Sequence, residues 1–153
     1  DGAPEVITVE SDKRRGARLA IFGATGRMDA TPYIGTRFRW LSPLGAADLD
    51  GDGVMEIAYI DRPHLAKTLR LWRFAQGRLI ALADLPGFTN HRIGERDIAG
   101  GIRTCGTRPE MILASADWSD LVAVRFEGED FEVETLGRDT SRVGFAKAMS
   151  CAD

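Results

Sequence analysis

Three segments of the chain repeat one another, and this repetition constrains the fold more than any other feature of the sequence. Each segment begins with a glutamate and an apolar run, continues to a second run that ends at a phenylalanine, and then turns at glycine. The glutamates are Glu5, Glu56 and Glu110, and the phenylalanines are Phe22, Phe74 and Phe126. A period of about fifty residues predicts an array of similar units that bury their apolar faces against one another.

The apolar runs inside these units have the length and spacing of β-strands. Each run is short, alternates in part between apolar and polar residues, and is bounded by turn-forming residues. This pattern is typical of strands. The predicted strands are 5–9, 18–22, 56–60, 69–74, 111–114, 121–126 and 131–136. Only 145–149 has a helical period, and the sequence therefore predicts an all-β chain with one possible short helix.

The repeats divide the chain into units of similar size within a single domain. We place them at 1–43, 44–92 and 93–142, and treat 143–153 as a C-terminal tail or closing segment. Units with three or four antiparallel strands are typical of β-propeller blades, and a closed propeller usually has at least four blades. Three repeats therefore predict a partial propeller. Its open sheet edges would be met by further blades, by another copy of the chain or by a protein partner.

Charge and hydropathy exclude two classes of partner. The chain has 153 residues, with 20 lysines and arginines against 23 acidic residues, so its net charge is −3. This balance offers no basic field for a nucleic acid. No apolar run approaches the roughly 18–20 residues needed to cross a bilayer, so we predict no transmembrane segment.

The strongest chemical motif is an acidic loop at the start of the second repeat. Carboxylates at alternate positions, separated by glycines that permit a tight turn, bring several hard oxygens to one point. Calcium binds about six to eight such oxygens, whereas zinc prefers the Cys and His ligands that this loop lacks. The predicted calcium ligands are the carboxylates of Asp48, Asp50, Asp52 and Glu56 and the backbone carbonyl of Val54. The alternative is a solvated acidic turn that only shapes the hairpin.

An EF-hand begins with the same spacing of acids, but the rest of its pattern is missing here. Its loop needs a bidentate acid at the twelfth position. Counted from Asp48, that position is Tyr59, which lies inside an apolar predicted strand. The flanking residues also lack two amphipathic helices, so the EF-hand interpretation fails.

The loop carries a resemblance to a known family. Residues 47–57 read ADLDGDGVMEI, and this segment resembles the FG-GAP/VCBS repeats, in which a loop of the form D-x-D-x-D-G-x-x-D runs straight into a strand. The resemblance implies an integrin-type β-propeller blade with calcium held by the five residues named above. Glu56 stands where the family usually has aspartate.

Only the middle repeat carries the full loop. In the first repeat Asp1, Gly2 and Glu5 remain, so the chain opens inside a repeat's loop. In the third repeat the matching segment is 97–101, which has lost two acids, and an insertion that carries Cys105 follows it.

The two cysteines predict a disulfide. Cys105 and Cys151 lack the C-x-x-C spacing of a metal or redox motif. An even number of cysteines permits one bridge, which would tie the insertion in the third repeat to the C-terminal tail. Such a bridge indicates a periplasmic or secreted protein. Two free buried thiols are the alternative.

Other residues that attract attention are interpreted as structural. His64 and His91 lie in separate loops and are expected at the surface, and Trp40, Trp72 and Trp118 are expected to pack between blades. Alternating arginines along strands fit a solvent-facing side or a partner surface. These are Arg37, Arg39, Arg70 and Arg73.

These features together favour a structural or binding protein over an enzyme. We expect an extracytoplasmic calcium-binding repeat protein that acts as a structural or protein-binding module, with an accessory subunit of a larger assembly as one form of it. The alternative is a propeller-type enzyme, a hydrolase or lyase, whose site lies in loops or outside this sequence. No residue of the chain stands out as catalytic.

Overall fold

Strands dominate residues 4–151, the part of the chain that the computed structural model describes. The strands are β1 (Val6–Asp12), β2 (Gly16–Gly23), β3 (Gly26–Ala30), β4 (Leu41–Ala47), β5 (Met55–Asp61), β6 (Thr68–Ala75), β7 (Arg78–Pro86), β8 (Phe88–Thr89), β9 (Gly101–Arg103), β10 (Glu110–Ser115), β11 (Leu121–Phe126) and β12 (Phe131–Gly137). One helix follows, α1 (Arg142–Met149). The all-β prediction is confirmed at the level of fold class. The partial loop at Asp1 and Gly2 lies outside the described residues.

The strands form three antiparallel sheets, and none of them closes on itself. The first sheet has the order β1-β2-β3 and the second has the order β4-β5-β6-β7. In the third sheet β10 pairs with β11, and β11 pairs with β12. The other edge of β10 pairs with two short strands, β8 and β9. The edge of the third sheet beside β10 is therefore formed by two strands that the loop 90–100 separates.

The second and third sheets each begin a few residues before the repeat boundaries that we placed at 44 and 93. No strand is predicted from sequence at the start of the second repeat, but Leu41–Ala47 forms a full strand paired with β5. Its composition is weak for a strand because it contains Pro43, Gly45 and two alanines. Pairing with β5 and burial of Leu41 decide its conformation.

The three sheets stack face to face, and the second sheet is buried on both sides. Along β5, Ile57 and Tyr59 pack toward the first sheet, whereas Ala58 and Ile60 pack toward the third. Side chains of a strand point alternately to opposite faces, so the middle of a strand that lies between two cores is apolar at successive positions. This is why residues 57–60 of β5 form a continuous apolar run.

Helix α1 covers the outer face of the third sheet. Its buried Phe145 and Ala148 pack with Ile112 and Ala114 of β10 and their neighbours on β11. The helix begins after Ser141, whose side-chain oxygen accepts the Gly144 backbone N–H at 3.2 Å. The stack therefore has the order first sheet, second sheet, third sheet, helix. Helix α1 thus covers this face of the third sheet at one end of the stack.

The predicted disulfide is present. Cys105 lies in the loop between β9 and β10, and Cys151 follows α1, with a Cα–Cα distance of 5.5 Å. The bridge fastens the end of the helix to the third sheet, and the interpretation as two free thiols is wrong. Among residues 4–151, no helix has the length and apolar character required to cross a membrane.

Candidate metal centre

The acidic loop connects β4 to β5 and is anchored in the core at both ends. Its Leu49 is fully buried between the second and third sheets. The Leu49 backbone N–H donates to Glu56 Oε2 at 2.8 Å, and Glu56, the second residue of β5, is also fully buried. The loop therefore holds a buried carboxylate at its base and exposed acids at its tip.

Three of the predicted ligands converge. Carboxylate oxygens of Asp48, Asp50 and Glu56 all lie within 4.8 Å of one another. Asp52 is not part of this group, and its side chain is 42% exposed. Val54 donates its backbone N–H to Asp52 Oδ1 at 2.9 Å. The structure thus brings the carboxylates of Asp48, Asp50 and Glu56 together, whereas the carboxylate of Asp52 lies outside this group.

Backbone N–H groups hold the loop acids in place. Gly51 and Gly53 donate to the two carboxylate oxygens of Asp48 at 2.8 and 2.9 Å. Both glycines have a left-handed backbone, with φ of 80° and 88°, which other residues adopt only at a cost. Asp50 is held in the same way by the N–H of Asp52 at 3.2 Å. The carboxylates are therefore oriented by the loop itself.

A single arginine from the neighbouring strand contacts three of the four acids. Arg73 on β6 lies opposite Glu56 in the register of the sheet. It donates from Nε to Glu56 at 2.9 Å, from Nη2 to Asp50 at 2.7 Å and from Nη1 to Asp52 at 2.8 Å. The sequence analysis assigned Arg73 to a solvent-facing or partner surface. Its guanidinium is instead the internal counter-cation of the loop.

The loop still carries more negative charge than positive. When ionised, its four carboxylates face one guanidinium, so three negative charges lack a counter-charge among the described residues. Burial raises the pKa of Glu56, and the charge of Asp50 acts in the same direction, against the hydrogen bonds from Leu49 and Arg73. A bound cation would favour the ionised form of this buried acid.

The third sheet contains a matching glutamate that is neutralised differently. Glu110 begins β10 and is also buried. Arg125 on β11 donates to its Oε1 at 2.8 Å, and Arg103 on β9 donates to its Oε2 through Nη2 at 2.8 Å. Arg103 lies opposite Glu110 as Ala47 lies opposite Glu56. Two arginines therefore contact the buried Glu110 in the third sheet, whereas a single arginine contacts the buried Glu56 and two loop acids in the second.

The structure also corrects the alignment of the third repeat. The segment that joins β9 to β10, and so corresponds to the acidic loop, is 104–109 and contains no acid. Segment 97–101, which the sequence comparison matched to the loop, precedes β9 and includes its first residue. Its Asp97 accepts a hydrogen bond from Arg142 of α1 at 2.9 Å. Of the two corresponding loops that the structure describes in full, only the one in the second sheet is acidic.

The donor set of the acidic loop fits a hard divalent cation. The converging atoms are carboxylate oxygens, one from a buried residue and two from half-buried residues. Calcium accepts oxygen-only, irregular ligand sets of this kind, and zinc does not favour them. The residues that would hold the ion are Asp48, Asp50 and Glu56, with the Val54 carbonyl as the predicted backbone ligand.

A second constellation was not visible in the sequence. His64 Nε2 and His91 Nδ1 lie 2.8 Å apart, and the ring of Trp40 packs edge-on against both imidazoles. The two histidines are expected from sequence in separate surface loops. Stacking of the second and third sheets brings the loop 62–67 and the loop 90–100 together, and no local pattern signals this approach.

Similarity to known proteins does not assign the chain to a family. No protein-family model, curated protein or solved structure matches it. The resemblance of residues 47–57 to FG-GAP/VCBS repeats remains an interpretation of the loop and of the repeats.

Proposed function

We propose that this chain is an extracytoplasmic calcium-binding repeat protein, built from β-propeller-type blades, that acts as a structural or protein-binding module. The observation that carries the proposal is the convergence of Asp48, Asp50 and Glu56 in a loop whose charge is only partly balanced. The spacing of these acids and the glycines between them are the features in which the loop resembles FG-GAP/VCBS repeats.

The role of the ion would be structural. When bound, calcium would link the β4–β5 loop to the buried Glu56 near the start of β5. Leu49 and Glu56 connect that base to the core between the second and third sheets. Ion binding would therefore stabilise the contact between two sheets, because it lowers the free energy of the native state and leaves that of the unfolded state unchanged.

The free face of the first sheet supports a role in assembly. Val6 and Phe22 lie opposite each other in its β1–β2 register, on the face directed away from the second sheet. Val6 is 61% exposed, although it lies in a strand. An apolar side chain exposed on a sheet face, as Val6 is among the described residues, offers a site for another blade, another copy or a partner protein. The other end of the stack is covered by α1.

The disulfide supports the proposed compartment. Disulfides persist in the periplasm and outside the cell and are rare in reducing compartments. Cys105 and Cys151 are joined in this protein, and neither is a free thiol. A periplasmic or secreted location is also where calcium is abundant enough for weak sites to be occupied, since extracellular modules bind it with dissociation constants of about 10⁻⁴–10⁻³ M.

The enzyme alternative receives no support from the histidine pair. Within residues 4–151, neither His64 nor His91 has a carboxylate oxygen within 4.0 Å. The acid that orients a catalytic histidine in a triad is therefore lacking there.

The test is the melting temperature of the protein in calcium and in a chelator. Calcium at about 100 times its dissociation constant stabilises a native state by about 2.7 kcal/mol, so a rise of several degrees is expected. Asp50→Ala should abolish the rise. Asp97→Ala removes an acid outside the loop and should preserve it. The absence of any rise in the wild-type protein at saturating calcium would remove the metal from the proposal.

A further inference from the structure

A cavity of about 290 Å³ lies where the second and third sheets meet, away from the acidic loop. Three segments form its walls: the β5–β6 loop 62–67, the loop 90–100 between the edge strands β8 and β9, and the β10–β11 turn 116–120. No acidic side chain is among the described residues that line it. Its polar lining consists of His64, Lys67, His91 and Arg92.

The two permanent cations of this cavity lack the usual counter-charge. Lys67 Nζ donates to the Ala116 carbonyl at 2.6 Å, and Arg92 Nη2 donates to Thr140 Oγ1 at 2.9 Å. In the part of the chain that the structure describes, neither cation has a carboxylate within 4.0 Å. This contrasts with Arg73 and Arg125, which each bind several acids. In a chain of net charge −3, the cavity is a local concentration of positive charge.

The histidine pair can add a proton to this charge without rearrangement. His91 Nε2 lies 3.0 Å from the Glu95 carbonyl, which can only accept, so His91 carries its proton on Nε2. His91 Nδ1 is then the acceptor for the proton on His64 Nε2, at 2.8 Å. The remaining nitrogen, His64 Nδ1, can take up a further proton while both hydrogen bonds persist. A negative charge in the cavity would favour that uptake.

The backbone around the cavity is held in strained conformations. Lys67 and Trp118 have φ of 49° and 63°, in the left-handed region that non-glycine residues rarely adopt. The carbonyl of Lys67 accepts the N–H groups of Gly87 and Phe88 at 2.9 and 3.0 Å, which fixes its position. Such outliers persist only where surrounding structure imposes them, and they concentrate at binding sites. The backbone of Lys67 is therefore fixed, and the hydrogen bond from its Nζ to the Ala116 carbonyl holds its charge at the cavity.

The rest of the lining is apolar and suits the body of a small ligand. The Arg92 guanidinium carbon lies over the Trp118 ring, 4.1 Å from its centre. Ile93 stands at the rim and is 82% exposed. The volume is close to the lower end of ligand pockets, which hold about 300–1,000 Å³. A ligand here would be small, with its charge at Lys67 and Arg92.

We propose that this cavity binds a small organic oxyanion, which carries a carboxylate or phosphate group on an apolar or aromatic body. Lys67 and Arg92 bind the oxyanion, and Trp118 and Ile93 contact the body. The site is independent of the acidic loop and of any metal bound there.

Titration of the full chain with benzoate, phenyl phosphate and inorganic phosphate tests the proposal, with backbone amide NMR shifts as the readout. Benzoate or phenyl phosphate should shift amides of segments 62–67, 90–100 and 116–120. Inorganic phosphate should bind more weakly than phenyl phosphate because it lacks the body. Benzyl alcohol, which lacks the charge, should bind at least tenfold more weakly than benzoate. Shifts confined to other parts of the chain, or equal binding of benzyl alcohol and benzoate, would overturn the proposal.

Variants separate the cavity from general surface charge. Lys67→Gln and Arg92→Gln should each weaken benzoate binding at least tenfold, because hydrogen bonds to charged groups are among the stronger ones. Lys13→Gln removes an exposed cation of the β1–β2 turn and should leave binding unchanged. Lys67→Arg retains the charge and should retain most of the binding, which guards against loss through misfolding. Unchanged binding in both glutamine variants would contradict the assignment.

The pH dependence gives a readout that a merely structural cavity would not show. Benzoate stays ionised between pH 5.5 and 8, so a change in its affinity over about this range reports the protein. Binding should tighten as pH falls, because the anion favours the protonated His64 against the opposing charges of Arg39, Lys67 and His91. His64→Gln should flatten the profile while binding persists at high pH. A flat profile in the wild-type protein would contradict the proposed link to the histidine pair.

Discussion

Glu56 on β5 and Arg73 on β6 lie directly opposite each other, and Arg73 Nε donates to the fully buried Glu56 carboxylate at 2.9 Å. A second pair, Glu110 and Arg125, occupies the corresponding strands of the third sheet. The first sheet has Glu10 opposite Arg18, with a 2.7 Å hydrogen bond between them. A cross-strand Glu–Arg pair thus recurs in each sheet, and in the second sheet the arginine also contacts two acids of the β4–β5 loop, Asp50 and Asp52.

Replacement of Arg73 should separate its structural role from that of a metal. In the absence of calcium, Arg73→Gln should lower the free energy of unfolding by about 3 kcal/mol, because the buried Glu56 loses its charged partner. The calcium-induced rise in melting temperature should be larger than in the wild-type protein, since a guanidinium no longer competes for the carboxylates. Thermal unfolding with and without calcium measures both effects.

Arg125→Gln is the matched control for this experiment. It removes the corresponding arginine in the third sheet, where Arg103 still holds Glu110. The variant should be less stable than wild type but should show the wild-type calcium response. An equal calcium response in wild type, Arg73→Gln and Arg125→Gln would show that Arg73 does not compete with the ion.

The disulfide should contribute strongly to stability. Replacement of Cys105 and Cys151 together by serine should cost about 4 kcal/mol in the chain-entropy model for a separation of 46 residues. In this variant, hydrogen exchange should accelerate relative to wild type more at the amides of α1 than at those of β5, because the helix loses its tether while the central sheet keeps both cores. Urea unfolding and hydrogen exchange measure the two effects. Two alkylatable thiols in the native wild-type protein would contradict the bridge.

His64 should make the protein less stable in mild acid. Burial lowers the pKa of His64, and the charges of His91, Arg39 and Lys67 act in the same direction. As pH falls below about 6.5, the ordinary value, the unfolded chain binds a proton that the folded chain still excludes. The free energy of unfolding should therefore fall with acidification in this window. His64→Gln should reduce this slope, measured by denaturation between pH 8 and 5, and an unchanged slope would contradict the assignment.

The free face of the first sheet should mediate self-association of the isolated chain. Val6→Lys places a charge on that face and should reduce the association measured by light scattering at high protein concentration. Val143→Lys is the matched control, because Val143 is 65% exposed on α1 at the other end of the stack, close to the 61% of Val6. It should leave association unchanged. A strictly monomeric wild-type chain at high concentration would show that this face needs no partner.

Much of the fold could be predicted because strands and turns depend on residues that are close in the chain. The apolar runs at 56–60 and 121–126 lie within β5 and β11, and the helical period at 145–149 lies within α1. The boundaries were less accurate where local composition is poor for the final structure. Residues Leu41–Ala47 form a strand only because β5 offers them a partner and a core.

The sequence by itself determined the candidate ligands Asp48, Asp50 and Glu56 and the pairing of the two cysteines, because a short loop and a single possible pairing leave few arrangements. The tertiary structure alone decided the place of Arg73 among the loop acids, the second arginine at Glu110, and the contact between His64 and His91. Each of these contacts joins residues from different strands or loops. They form only when hairpin register and the stacking of the sheets, both set by burial of apolar faces, bring distant segments together.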